Sequence, residues 1–150
     1  MTVVENIEVG IVGQGRESPA ARRRRVEAAI EEQHLTEVAR IPVRSLSYGQ
    51  QRRTEIARAL ISRPRVLLLD EPAAGLGDGE RALLGAAIAR ATKEWDCALL
   101  LIDHAVDFVL ESSDRIVVLH EGLKLCEGTP AEIQQDPRVA DVYLGTPEEV

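Results

Sequence analysis

The sequence predicts an α/β fold in which a parallel sheet carries helices on both faces. Three observations point there. Val66–Leu69 and Cys97–Ile102 are short, continuous apolar runs, the pattern of strands buried on both faces. Between them Leu83, Leu84, Ala87, Ile88 and Ala91 recur at helical spacing. Each run ends in a polar pair, Asp70-Glu71 and Asp103-His104. Strand, helix, strand in this order is a βαβ unit, for which a right-handed crossover is expected.

The elements before this unit read as helical. Residues 10–19 (GIVGQGRESP) form a loop by composition. A helix is expected over Ala20–Glu32, with Val26, Ala29 and Ile30 on its buried face. The run Arg22–Arg25 lies on that helix; it is either a solvated face or a docking surface for an acidic partner. Leu35–Val38 is a short helix ended before Pro42. Ser47 and Gln50 have capping-box spacing and open a longer helix. Its buried stripe is Ile56, Ala57, Leu60 and Ile61, and Pro64 stops it.

After the unit, Val106–Leu110 falls on a short helix. Ile116–Leu119 and Leu123–Cys126 are strands joined by a Glu121-Gly122 turn. Thr129-Pro130-Ala131-Glu132 starts another helix, with Thr as cap and Glu closing the box. The tail is expected to be helical through Leu144.

Composition limits the possible roles. The 150 residues are 45% hydrophobic and 29% charged, ordinary for a globular domain. Aromatics are only 3%, so aliphatic side chains must fill the core. No apolar run approaches the ~20 residues that span a bilayer, and the N-terminal MTVVENIEVG does not read as a signal peptide. The net charge of −7 argues against nucleic acid as a partner. The charge is segregated: residues 16–65 hold 12 basic and 6 acidic side chains, residues 66–150 hold 6 and 17. Cys97 and Cys126 lack metal or redox spacing and fit a reduced compartment.

The polar pairs carry the chemistry. In open α/β sheets ligands bind at the C-terminal ends of the strands. There one carboxylate can hold Mg²⁺, largely through water, and its neighbour can polarise an attacking water. Leu46-Ser47-Tyr48-Gly49-Gln50 sets a hydroxyl, a glycine and free N–H groups at a helix N-terminus, an arrangement that attracts anions. Taken singly, each feature also has a bland reading: an exposed strand end, a structural histidine, a well-capped helix.

Taken together, RSLSYGQQRRTEIARALISRPRVLLLDEPAAGL and the later LLLIDH resemble the ATPase family of ABC transporters. In that family LSxGQ is the signature, LLLDEP is Walker B, AAGL opens the D-loop, and the histidine after the next strand is a switch residue. Tyr48, the QQRR-x-EIARAL continuation, EPAAGL and EGTPAEIQQDPRVADVYLG further resemble ATPase subunits of branched-chain amino acid importers, with urea and amide importers close. The resemblance covers residues 2–145. It implies a P-loop NTPase-like core over residues 63–150 and part of the helical, signature-bearing subdomain over residues 1–62.

The resemblance also implies roles. Asp70 would help hold Mg²⁺, Glu71 would act as general base, and His104 would contact the γ-phosphate of ATP. Ser47, Gly49 and Gln50 would contact ATP bound to a second ATPase subunit, and the D-loop residues Ala74, Gly75 and Leu76 would cross the same interface. Transmembrane permease subunits would be the other partners. They would place the chain in the cytoplasm, on the inner face of the membrane.

The sequence departs from the family in several places. No G-x-x-x-x-G-K-[ST] occurs, and neither the Q-loop glutamine nor the adenine-stacking aromatic is found. The chain therefore reads as the C-terminal half of an ATPase domain. Losing several charge-assisted phosphate hydrogen bonds removes on the order of 5 kcal/mol of binding, or ~10³-fold or more in affinity. Unaided hydrolysis is expected to be negligible. Gly77 stands where Asp or Asn is usual, Asp103 where Glu is commoner, and Ala105 where many relatives have Asp. A different class of function also fits: a non-catalytic subunit that supplies its signature in trans to an intact ATPase.

Overall fold

The computed structural model describes residues 1–13, 15 and 17–144. The chain begins with helix α1 (Val3–Val9), which composition alone does not announce. Its signal is local: the Thr2 side chain accepts from the Glu5 N–H, and the Glu5 carboxylate accepts from the Thr2 N–H. Helix α2 (Pro19–Glu32) starts one residue earlier than expected because Ser18 caps it and Pro19 takes the first turn. Of the loop predicted before it, Gln14 and Arg16 lie outside the described residues. Single 3₁₀ turns follow at Thr36–Val38 and Val43–Ser45.

Helix α3 (Tyr48–Leu60) opens on the predicted capping box of Ser47 and Gln50. It packs two ways at once. Ala57 and Ile61 join Val3, Ile7, Val26, Ile30 and Leu35 in a helical core, whereas Ile56 and Leu60 face the sheet. Each buried Val, Leu or Ile side chain among these contributes about 1.5–3 kcal/mol of transfer free energy. The helix ends before Arg63, whose φ of 49° turns the chain ahead of Pro64.

The βαβ unit forms as expected. Strand β1 (Val66–Asp70), helix α4 (Asp78–Glu94) and strand β2 (Ala98–Ile102) give a two-stranded parallel sheet, with Val66 opposite Ala98 and Asp70 opposite Ile102. Leu67 and Leu69 point into a core shared with Leu84, Ile88, Ala91 and Phe108. The other face differs from expectation. Val66, Leu68, Leu100 and Ile102 are 57–68% exposed, so among the described residues the sheet is covered on one face. The apolar character of these four residues is that of a face made for burial.

Helix α5 (Val106–Ser112) leads to an antiparallel hairpin of β3 (Ile116–His120) and β4 (Leu123–Gly128). Glu121 and Gly122 both adopt positive φ, 48° and 79°, as a two-residue type I′ turn requires. Helix α6 (Pro130–Gln135) carries the predicted Thr129–Glu132 box. The tail continues as α7 (Pro137–Val139) and a π turn over Ala140–Leu144. Ile133 and Val139 bury against Ile116 and Val118 of the hairpin.

Candidate functional site

Direct pairing of β1 with β2 brings the two polar pairs to one edge. The Glu71 N–H donates to the Ile102 carbonyl at 2.7 Å, extending the ladder one residue past β1. Glu71 then takes φ 46°, a left-handed conformation costly for a residue with a Cβ. The kink turns its side chain out to solvent, 59% exposed, where Oε1 lies 3.9 Å from Nδ1 of His104. His104 is itself 70% exposed, so both groups are open to a ligand. Asp70 is also exposed, at the last position of β1.

Asp103 is of another kind. Its side chain is fully buried. One oxygen, Oδ2, accepts from the Ala73 N–H at 2.9 Å; the other, Oδ1, accepts from the Ala105 N–H at 2.9 Å. The sequence placed it in a polar pair with His104 and suggested no role of its own for it. Arg52 went unmarked as well. From the second turn of α3, its Nη2 donates to the Glu71 carbonyl at 2.9 Å, and its Nη1 pairs with Glu55 at 2.9 Å. The contacts that cross between elements, Asp103 with Ala73 and Arg52 with Glu71, have no local sequence signal, since the partners lie 30 and 19 residues away.

The signature residues sit at the start of α3. Ser47 Oγ accepts from the Gln50 N–H at 3.3 Å, and Gln50 Oε1 accepts from the Ser47 N–H at 3.1 Å, so both side chains serve as caps. Gly49 is buried, and a Cβ there would overlap the Glu80 carboxylate. An anion of the chain itself thus lies beside the N-terminus expected to attract one. Of the residues expected to form the D-loop, Ala74 is half-buried and Gly75 is exposed with φ 70°. A Cβ on Gly75 would come within 3.1 Å of the Tyr48 ring, so this loop rests against the start of α3. Leu76 is buried in the sheet core beside Leu84, so its side chain is committed to packing.

The donor set suits a cation held mainly from elsewhere. Among the described residues no cluster of three His, Cys, Asp or Glu side chains could hold a metal. One exposed carboxylate, Asp70, with Glu71 beside it, matches Mg²⁺, which keeps several waters and takes the rest of its shell from nucleotide phosphates.

Comparison with known proteins bears on the family and the fold. Residues 1–74 match the model of the ABC transporter family, and residues 124–149 match that of the branched-chain amino acid ATP-binding cassette transporter. The chain belongs to the ABC transporter ATPase family. A similar curated relative is the high-affinity branched-chain amino acid transport ATP-binding protein BraF of Pseudomonas aeruginosa, 43% identical over 162 residues. That match takes in 97% of this chain but 62% of BraF. Among solved structures, the ADP conformation of the ATP-binding cassette MJ1267 is 28% identical with a TM-score of 0.71, covering 97% of this chain and 63% of that one. The dimeric cassette MJ0796 bound to ADP and Pi is 26% identical with a TM-score of 0.77, covering 87% and 57%. The 150 residues therefore span less than two thirds of these ABC relatives. No helix among the described residues is long and apolar enough to cross a membrane.

Proposed function

We propose that this ABC ATPase chain provides the water-activating and subunit-facing part of an importer's ATP-hydrolysing subunit, with branched-chain amino acids as cargo. The carrying observation is the shared edge of β1 and β2, where Glu71 and His104 stand 3.9 Å apart and exposed. Glu71 would take the proton of the attacking water, and His104 would hold the γ-phosphate. Asp70 would hold Mg²⁺, whose role when bound is to neutralise developing phosphate charge. Ser47, Gly49 and Gln50, with Ala74 and Gly75 near them, would face nucleotide held by a second ATPase subunit. Residues 1–62 would contribute to the signature subdomain that meets the permease on the cytoplasmic side, and residues 63–150 to the catalytic core. The phosphate cradle would come from outside these 150 residues.

A second reading, supply of the signature in trans to an intact ATPase, draws support from the packing of Tyr48 on Gly75, which gathers both subunit-facing segments in one place. Two mixtures separate the readings. In the first, the chain is combined with the P-loop-bearing portion of a homologous importer ATPase, and Mg²⁺-dependent ATP hydrolysis is measured. Hydrolysis that Glu71→Gln abolishes supports the catalytic role. In the second, the chain is added to an intact homologous subunit. Stimulation that survives Glu71→Gln but is lost with Gly49→Asp supports the trans role. No hydrolysis in the first mixture and no stimulation in the second would refute both.

A further inference from the structure

Asp103 is the one buried carboxyl at an edge where every other polar side chain faces solvent, and both of its oxygens are engaged by main-chain N–H groups on different loops. Ala73 follows Glu71 by two residues, and Ala105 follows His104 by one. A bridge between those two amides fixes the separation of the loops that carry Glu71 and His104. We propose that Asp103 is a positioning residue, a clamp that sets the distance between Glu71 and His104 by bonding the Ala73 and Ala105 amides at once. The inference deepens the catalytic reading of Glu71 and His104 and rests on it for its purpose, though not for its geometry.

The chemistry is specific to a carboxylate. Two converging N–H donors require two acceptor atoms, and hydrogen bonds to a charged acceptor are worth roughly twice those between neutral groups. Asparagine has the same shape but one acceptor; its NH₂ would confront one of the two donors and leave both groups unsatisfied. Glutamate keeps both acceptors on a longer stem. The backbone of the two loops is already joined upstream by the Glu71 N–H to Ile102 carbonyl bond, so the clamp closes a small ring rather than creating the contact between strands.

Hydrogen exchange followed by mass spectrometry on the full chain, without nucleotide, tests this directly. Peptides over residues 70–76 and 103–108 report the two loops, and a peptide within α3 serves as control. Asp103→Ala is expected to speed exchange in both loops by at least about tenfold while α3 is unchanged. Asp103→Asn is expected to lose protection in one loop only, which also serves if the alanine variant fails to fold. Asp103→Glu should recover protection in both. Unchanged exchange in both loops of the Asn and Ala variants, or equal acceleration in the α3 control, would overturn the clamp. Because no nucleotide is involved, failure of the ATPase reading would leave this result standing, and the converse also holds.

Discussion

The guanidinium of Arg52 donates to the main-chain carbonyl of Glu71 at 2.9 Å, so the helix that begins with the signature residues is bonded to the peptide of the proposed base. A charged donor to a carbonyl contributes roughly 1.5–3 kcal/mol. The gain is offset here because Arg52 Nε is buried without a hydrogen-bond partner. Arg52→Ala is therefore expected to lower stability by about 1–2 kcal/mol, read as a shift in the urea midpoint at constant slope. Lysine should restore little of it, since one ammonium cannot reach Glu55 and Glu71 with the same fork geometry.

Glu71 holds φ 46° with an exposed side chain, so function and stability pull apart at this residue. Relief of the left-handed strain is worth about 1–2 kcal/mol, and the extra chain entropy of glycine returns about half of that. Glu71→Gly should stabilise the chain by about 0.5–1 kcal/mol, Glu71→Gln should leave it within about 0.5, and Glu71→Val should destabilise it. Chemical denaturation of the three variants checks the order, and a Gly variant less stable than wild type would contradict it.

Two glycines answer differently to a methyl group. At Gly49 the obstacle is the carboxylate of Glu80, the mobile end of a long side chain, and helix propensity favours alanine. Gly49→Ala should change stability by less than about 0.5 kcal/mol. At Gly10 the obstacle is the Arg58 carbonyl and the Ile61 side chain, where α1 meets α3. Gly10→Ala must push those helices apart and should cost about 1–3 kcal/mol. Thermal melts of the pair distinguish a movable neighbour from a fixed one.

Arg138 meets the Asp136 carboxylate through two bonds, at 3.0 and 2.7 Å, and its own N–H donates to Asp136 as well. These hold the Asp136 carboxyl down from the ordinary 3.8 to about 2. A depressed acid stabilises the fold above its unfolded value and ceases to do so as pH falls through the folded one. The cap on α7 should thus persist at pH 4 and fail near pH 2. Arg138→Leu should raise the onset of that loss toward the ordinary carboxylate range, measured as helical signal during acid titration.

The open side of the β1–β2 sheet predicts self-association. Val66, Leu68, Leu100 and Ile102 form an apolar stripe next to strand edges that are unpaired among the described residues, a known route to aggregation. Light scattering should show concentration-dependent growth of the isolated chain. Leu68→Lys with Leu100→Lys should suppress it without lowering the denaturation midpoint. A monodisperse, cooperatively melting wild-type monomer would refute the expectation.

Local chemistry was legible in the sequence where its signals are short-range. The Ser47–Gln50 and Thr129–Glu132 boxes, the Glu121-Gly122 turn and the apolar runs of β1 and β2 all lie within a few residues of the structure they produce. Helix α1 was missed because seven residues give too little periodicity, although Thr2 and Glu5 announced it. That Asp70-Glu71 and Asp103-His104 each end an apolar strand was legible; that β1 pairs directly with β2 and so gathers them at one edge was not, and neither was what holds that edge. Asp103 meets amides, Arg52 meets a carbonyl, and Glu80 meets a glycine, and none of these partners has a side-chain identity that spacing could reveal. The bare sheet face was equally hidden, because an apolar strand reads the same whether or not something lies on it.

Since Asp103 grips main-chain atoms, no covariation can betray its partners. The bridge itself asks nothing of the side chains at 73 and 105; both are limited by space, position 73 around its buried methyl and position 105 where it packs half-buried on the sheet core. Proline alone is barred from both, because it removes the hydrogen that Asp103 receives. In a collection of variants the bond would surface as one stubborn acid beside two positions ruled by size rather than chemistry, both closed to proline.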